Sequence, residues 1–163
     1  MSVIRKAVPE DLPRIMEIYA IAQEYMIRSG NPTQWGRTFP PEELIRKDIR
    51  DGICHLICDG DTVHGIFAVC EGIEPAYQEI CDGAWLNDEP YITGHRLAGD
   101  GKARGLFAAA AKHMKSLACN VRVDTHENNR TMQHLIEKEG FTRCGIIHLA
   151  DGSPRIAYQW SKN

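Results

Sequence analysis

The chain has 163 residues, 43% hydrophobic and 25% charged, with a net charge of −3. That is enough for one domain over residues 1–163 with a substantial core, and the charge gives no support for nucleic-acid binding, where a basic surface is expected. No apolar run approaches the ~20 residues of a membrane span, and the opening MSVIRKAVPEDL has no apolar signal core, so a cytoplasmic location without a membrane partner is expected.

Residues 2–7 alternate as a short strand. VPEDLPRIMEIYAIAQEYMIRSG carries Leu12, Ile15, Met16, Ile18, Tyr19, Ala22 and Met26 at helical spacing. Asp11 and Pro13 suit the start of that helix and Gly30 its end. PPEELIRKDIRDG reads as a second helix, with Pro41 and two glutamates in its first turn and Gly52 as its stop. ICHLICD, GDT and VHGIFAVCE read as a hairpin. Cys54 and Cys58 should share one strand face. With His55 and His64 they make a conceivable zinc set, but none of the six cysteines forms a C-x-x-C pair, and buried reduced thiols are the expectation. Residues 72–90, with Tyr77, Trp85 and two prolines, form a long irregular loop of a kind that is often functional.

YITGHRLA reads as a strand. GDGKARGLFAAAAKHMKSL, residues 99–117, begins with Gly99, Gly101, Gly105, Lys102 and Arg104 and continues as almost pure helix former. A flexible, positive entry into a helix suits an anion, because the first turn has unpaired N–H groups and a partial positive charge. A plain turn, with tight packing at Ala108–Ala111, fits the same residues. NVRVDTH is a short strand. NNRTMQHLIEKEG is a helix capped by Asn128 or Asn129 and stopped by Gly140. FTRCGIIHLA and PRIAYQWS close as a hairpin around DGS. The element order predicts an α/β (α+β) fold, a mixed central sheet flanked by helices on both faces, with a parallel right-handed crossover over 91–124.

Gly99, Gly101 and Gly105 nearly make a dinucleotide fingerprint, and Asp124 falls where a ribose-binding acid would sit. Against that reading, the strand before them lacks a continuous apolar run, and too little chain follows Asp124 for further βαβ units. HRLAGDGKARGLFAAAAKHM, followed by VRVDTHENNRTMQHLIEKEGFTRCGI, instead resembles the GNAT N-acetyltransferases. Their phosphate loop, [Q/R]-x-x-G-x-[G/A], corresponds here to positions Lys102, Gly105 and Phe107. Their N-x-x-A-x-x-L-Y-x-x-x-G-F pattern matches at Asn129, Met132, Leu135, Ile136, Gly140 and Phe141. IRKAVPEDLPRIMEIY resembles their opening strand and helix, so the resemblance spans nearly the whole chain.

The resemblance implies a GNAT fold, acetyl-CoA as cofactor, and acyl transfer from its thioester to a primary amine of a small molecule or peptide; proteins of this kind are often homodimers. It implies that the backbone of Lys102, Ala103, Arg104, Gly105, Leu106 and Phe107 binds the pyrophosphate, with the charges of Lys102 and Arg104. It also implies that Leu97, Ala98 and Gly99, on a splayed strand, bind pantetheine, and that the Leu97 N–H polarises the acetyl carbonyl. Asn129 matches a cofactor contact and equally suits a helix cap. His95, two residues before Leu97 and on the same strand face, is the first candidate for the base; Glu71, ending the preceding strand, and His126 are the others. Trp35, Phe39, Tyr77 and Trp85 are candidates to line the acceptor pocket, and Asp82, Asp88 and Glu89 to attract a cationic amine. Loop packing and solvated surface are the competing roles for these residues.

Three departures stand out. Lys102 replaces Gln or Arg and keeps the charge. Phe107 replaces a small residue. Ile136 stands where many members carry a tyrosine that protonates the leaving thiolate. Another acid or water would then serve, with Tyr158 a candidate, or the chain is a catalytically silent GNAT-fold module that binds CoA as a sensor or partner domain.

Overall fold

A computed structural model describes residues 2–162. In chain order the elements are β1 (Val3–Lys6), α1 (Leu12–Arg28), α2 (Glu42–Arg50), β2 (Cys54–Asp59), β3 (Thr62–Glu71), β4 (Ile92–Gly99), α3 (Leu106–Leu117), β5 (Asn120–Thr125), α4 (Arg130–Lys138), β6 (Thr142–His148) and β7 (Pro154–Ser161). Short 3-10 turns cover Pro9–Asp11 and Pro75–Tyr77. The strands form one seven-stranded mixed sheet, as the alternation of elements predicts; its strand order is β1-β2-β3-β4-β5-β7-β6. β4 and β5 are parallel, the crossover expected over 91–124. Among the described residues, no helix is long and apolar enough to cross a membrane. The chain divides into two compact units. One runs to Val69 and adds Arg96–Ala110; the other comprises Cys70–His95 and the residues from Ala111 onward.

In the first unit, Leu12, Ile15, Ile18, Tyr19 and Ala22 recur three and four apart and so form one stripe of α1. That stripe packs on Ile45 of α2 and on Cys54, Leu56, Cys58, Val63 and Ile66 of the β2–β3 hairpin. Cys54 and Cys58 therefore share a face. Burial pushes the Cys54 thiol up to about 12, since a desolvated thiolate is disfavoured. His55 stacks instead on Phe67, ring centroids 5.3 Å apart, and His64 hydrogen-bonds to Asp100. The conceivable zinc set is not brought together. On the other face of the hairpin, Leu106 at the start of α3 comes close: a Cβ added to Gly65 would lie 3.1 Å from Ile57 Cδ1 and 3.3 Å from Leu106. Asp11 precedes α1 as expected but does not cap it. Its carboxylate accepts the Val8 N–H at 2.8 Å and pairs with both Nη atoms of Arg5 at 2.8 and 2.9 Å, tying the helix start back to β1.

In the second unit, β5 pairs antiparallel with β7 from Asn120–Ser161 to Thr125–Ile156, and β6 pairs antiparallel with β7. The parallel β4–β5 ladder comprises only Ile92–Val121 and Thr93–Arg122. The 72–90 segment is irregular, as expected, but it is fastened at several points. Cys81 exchanges backbone hydrogen bonds with Ile146 at 2.8 and 2.9 Å. Gly83 permits this approach, because a Cβ there would lie 1.9 Å from the Cys144 carbonyl oxygen. The Arg122 guanidinium carbon lies 4.0 Å from the centroids of both Trp85 and Tyr91, and its Nη2 donates to the Asn87 carbonyl at 2.9 Å. Cation–π contacts of this desolvated kind contribute about 2 kcal/mol or more. Gln159, fully buried, accepts the Leu86 N–H at 3.2 Å.

Two tests follow from the first unit. Ile18 is 0% exposed, so Ile18→Ala removes packed methyl groups and should cost roughly 2–5 kcal/mol in urea unfolding. The Arg5 hydrogen bonds hold the Asp11 carboxyl below its ordinary value of 3.8. A depressed folded value stabilises above the unfolded value and loses that contribution as pH falls through the folded one. Asp11→Asn should therefore lower the melting temperature near neutrality and flatten its decline below about pH 4, read from melts across that range.

Candidate active site

After β4 the chain passes through Asp100 into a loop and then α3. Gly101 and Gly105 have φ of +77° and +71°, the left-handed region that favours glycine. A Cβ at either would meet nothing within 4 Å, so the backbone conformation, not space, calls for glycine there. The loop is held from inside by Asp100, whose side chain is 0% exposed. Its Oδ1 accepts the Lys102 N–H at 2.9 Å, and its Oδ2 accepts Arg14 Nη2 at 2.7 Å and lies 2.8 Å from His64 Nδ1. The Asp100 N–H donates to the His64 carbonyl at 3.0 Å. Burial alone would raise this carboxyl, but the Lys102 N–H, His64 and Arg14 together hold it below its ordinary value.

With its carboxylate turned inward, the loop presents cations outward. Lys102 and Arg104 are exposed. A cavity of about 320 Å³ is lined by Lys102, Ala103, Arg104 and Leu106 together with His64, Cys58 and the exposed Asp59. The first backbone bond of α3 is from the Ala109 N–H to Gly105 O at 3.0 Å, so the helix's opening turn faces the loop. The Lys102 N–H is already donated to Asp100, which leaves the Lys102 side chain as its contribution to an anion. Phe107 is 6% exposed, so its ring is buried in the protein rather than displayed on the loop. These features fit a diphosphate: two exposed cations, glycine-permitted curvature and a helix N-terminus.

β4 carries a local departure that sequence reading missed. Arg96 has φ of +55°, rare for a bulky non-glycine residue and costing of order 1–3 kcal/mol. It follows the end of the parallel ladder at Thr93. The break interrupts the pleat, so the alternation that would put His95 and Leu97 on one face does not carry through Arg96. Leu97 is half-buried, Ala98 packs in the α1–α2 core, and Gly99 leaves room for Leu106, whose Cδ1 would lie 2.5 Å from a Cβ there.

In the second unit, His95 is half-buried and its Nε2 lies 3.4 Å from Glu74 Oε2. Glu74 sits in the irregular segment, its N–H donating to Tyr91 Oη at 2.9 Å. Nothing in the sequence marked it out, because the contact joins residues distant in the chain. The Tyr77 ring centroid is 6.4 Å from that of His95, and its hydroxyl donates to Asp124 Oδ2 at 2.5 Å. Burial raises both the Tyr77 hydroxyl and the Asp124 carboxyl above their ordinary values. Tyr77 is 2% exposed, and Trp85 packs on it at 5.0 Å and donates Nε1 to its carbonyl at 2.9 Å. Trp35 belongs to the other unit, beside Tyr19 and Phe39 at 5.7 and 6.1 Å.

The remaining candidates are placed as follows. Glu71 is exposed at the end of β3. Asp82, Asp88 and Glu89 are exposed. His126 Nδ1 accepts the Asn128 N–H at 2.9 Å, and burial lowers its pKa. Asn129 caps α4, its Oδ1 accepting the Met132 N–H at 3.1 Å. Ile136 is 1% exposed. Tyr158 is 0% exposed, donates to Glu137 Oε2 at 3.3 Å, and is pushed up to about 12 by burial.

No protein-family model matches the sequence, and no curated protein matches it. Solved structures do. A GNAT-family acetyltransferase from Streptococcus agalactiae is 32% identical, with a TM-score of 0.91 over 99% of this chain and 96% of that one. A GNAT-family acetyltransferase from Listeria monocytogenes is 19% identical, with a TM-score of 0.73 over 98% and 94%. The yncA protein of Salmonella typhimurium, solved with its cofactor acetyl-CoA, is 13% identical, with a TM-score of 0.62 over 99% and 94%. The last two show the fold alone, whereas the streptococcal match combines fold, identity and full coverage. On that match, reached independently of the sequence motifs, this chain belongs to the GNAT family of acetyltransferases.

Proposed function

We propose that the protein is an acetyl-CoA-dependent N-acetyltransferase that acetylates a primary amine of a small molecule or peptide. The observation that carries this reading is the β4–loop–α3 passage, with its left-handed glycines, outward cations and inward carboxylate. Similarity over 99% of the chain supports reading the whole of it as one such domain.

The Lys102 and Arg104 side chains and the backbone N–H groups from Ala103 to Phe107 would hold the pyrophosphate. The backbone of Leu97, Ala98 and Gly99 would bind the pantetheine arm as an added strand. Bound acetyl-CoA supplies the acetyl group as an activated thioester. The Leu97 N–H would hydrogen-bond the thioester carbonyl oxygen and stabilise the charge that grows there. His95 accepts the proton of the attacking amine, directly or through a water. Glu74, 3.4 Å from His95 Nε2, orients the imidazole. Glu71 and His126 are the alternative bases. Trp35, Tyr77 and Trp85 remain candidates for the acceptor pocket, with Tyr77 acting from its buried position through the chain of contacts to Trp85 and Asp124.

A second reading has its own observation. Ile136 is buried where a tyrosine acid is usual in the family, and the Tyr158 hydroxyl is donated to Glu137. A silent CoA-binding module would have these features too. Release of CoA thiol separates the readings: turnover with any amine in a panel supports the enzyme, and tight cofactor binding with no release supports the module.

Acetyl-CoA at about 100 times its Kd should add ~2.7 kcal/mol of stability, a rise in Tm of roughly 5–10 °C, with no rise from NAD. An unshifted melt would remove the cofactor assignment. Asp100→Asn should weaken acetyl-CoA binding measured by titration calorimetry, because the loop loses its charged anchor; unchanged affinity would separate Asp100 from the site. His95→Ala should lower kcat by about 10²–10⁴-fold with acetyl-CoA affinity unchanged, and Glu74→Gln should lower it less. Unchanged turnover in His95→Ala would pass the role of base to Glu71 or His126.

A further inference from the structure

Among the described residues, two that are not glycine have positive φ, Asp82 and Arg96. Asp82 is an exposed aspartate in a loop, a residue type that visits this region routinely. Arg96 is bulky and sits inside a strand, so the surroundings must hold it there.

They hold it at two points. The Arg96 side chain makes a paired contact with Asp48 of α2, Nε to Oδ2 and Nη2 to Oδ1, each at 3.0 Å. The two side chains are 14% and 4% exposed, so this bidentate ion pair is largely removed from water and geometrically demanding. The Arg96 backbone carbonyl accepts the hydroxyl of Tyr19 at 2.8 Å. Tyr19 is 1% exposed, on the core stripe of α1, with the Trp35 ring packed edge-on against it.

The carbonyl of Arg96 and the N–H of Leu97 belong to the same peptide unit. That unit is planar and trans, so its C=O and N–H point in opposite directions. Fixing the carbonyl with the Tyr19 hydroxyl fixes where the Leu97 N–H points. A hydrogen bond to the carbonyl also polarises the amide and makes its N–H a stronger donor. The direction and strength of one backbone donor thus depend on a tyrosine far back in the chain.

We infer that Tyr19 and Asp48 are positioning residues that aim and polarise the Leu97 N–H, Tyr19 through the shared peptide and Asp48 by holding Arg96 left-handed. The inference rests on the reading of Leu97 as the donor to the acetyl carbonyl. Neither residue touches the reacting atoms. They act through geometry and leave the loop that grips the cofactor's phosphates untouched, so they should affect kcat and not acetyl-CoA affinity.

Tyr19→Phe removes one hydroxyl and keeps the ring. Its amide resonance for Leu97 in the free protein, its acetyl-CoA Kd and its kcat are compared with those of wild type and of Tyr25→Phe, an exposed tyrosine on the same helix. The expected result is a shifted Leu97 resonance and a kcat lowered about 10-fold, with Kd within about 2-fold and Tyr25→Phe like wild type. Asp48→Asn should behave alike. Adding Arg96→Gly to it should recover most of the lost kcat, because glycine adopts this φ without a side chain to restrain. An unmoved Leu97 resonance in Tyr19→Phe would overturn the clamp. A moved resonance with unchanged kcat would overturn the role of Leu97 on which the inference stands, while leaving the peptide geometry as described. A parallel loss of Kd and kcat would make both residues merely structural and overturn their positioning role.

Discussion

A strand that leaves the extended region at an arginine needs more than strand pairing to stay there. β4 makes that turn at Arg96, after a parallel ladder that ends at Thr93, and the restraint comes from two helices that the chain forms long before β4. α1 supplies a buried hydroxyl and α2 a buried carboxylate. Both side chains lie on or beside the apolar stripes that drive their helices onto the β2–β3 hairpin. Core packing and site geometry are thus coupled: the free energy of burying Ile15, Ile18 and Ile45 holds the helices, and the helices hold one peptide of β4. The cost of one left-handed arginine, of order 1–3 kcal/mol, is small against burial of several aliphatic side chains at about 1.5–3 kcal/mol each.

A second restraint follows along the same strand. Asp100 collects a backbone N–H, a guanidinium and an imidazole on one buried carboxylate. A buried carboxylate with so many donors is stabilised in its charged form, and its side chain is wholly removed from solvent. An acidic residue beside a phosphate loop would oppose its ligand if it were exposed. Turned inward, it gives the loop a rigid base and leaves the positive charge of Lys102 and Arg104 to the outside. Loop flexibility from glycine and loop order from Asp100 act at different residues.

The 72–90 segment is irregular but held in place. Its aromatic residues are largely inside: Tyr77 is buried against Asp124, and Trp85 stacks with Arg122. The polar residues that fasten it, Asn120, Arg122 and Gln159, come from β5 and β7. The result is an irregular segment with a fixed course, which carries Glu74 to within reach of His95. A charged side chain on a mobile loop could not orient an imidazole; one on a fastened loop can.

The amino-acid sequence by itself determined the elements and their order, because helical and strand periodicities, helix stops and the hairpin turns are local and repeat along the chain. It also marked the glycine- and cation-bearing loop before α3 as a candidate anion site, since glycines and cations before an alanine-rich helix have local physical meaning. Asn129 was legible as a cap for the same reason. Tertiary structure alone decided the rest. The left-handed φ of Arg96, the Tyr19 hydrogen bond to its carbonyl, the inward turn of Asp100 and the Glu74–His95 contact all join residues separated by 21 to 86 positions, or depend on such contacts. No periodicity encodes them. They exist because hydrophobic burial, which is non-directional, brings helices and strands together first, and directional hydrogen bonds and ion pairs then fix the few backbone groups on which the chemistry depends.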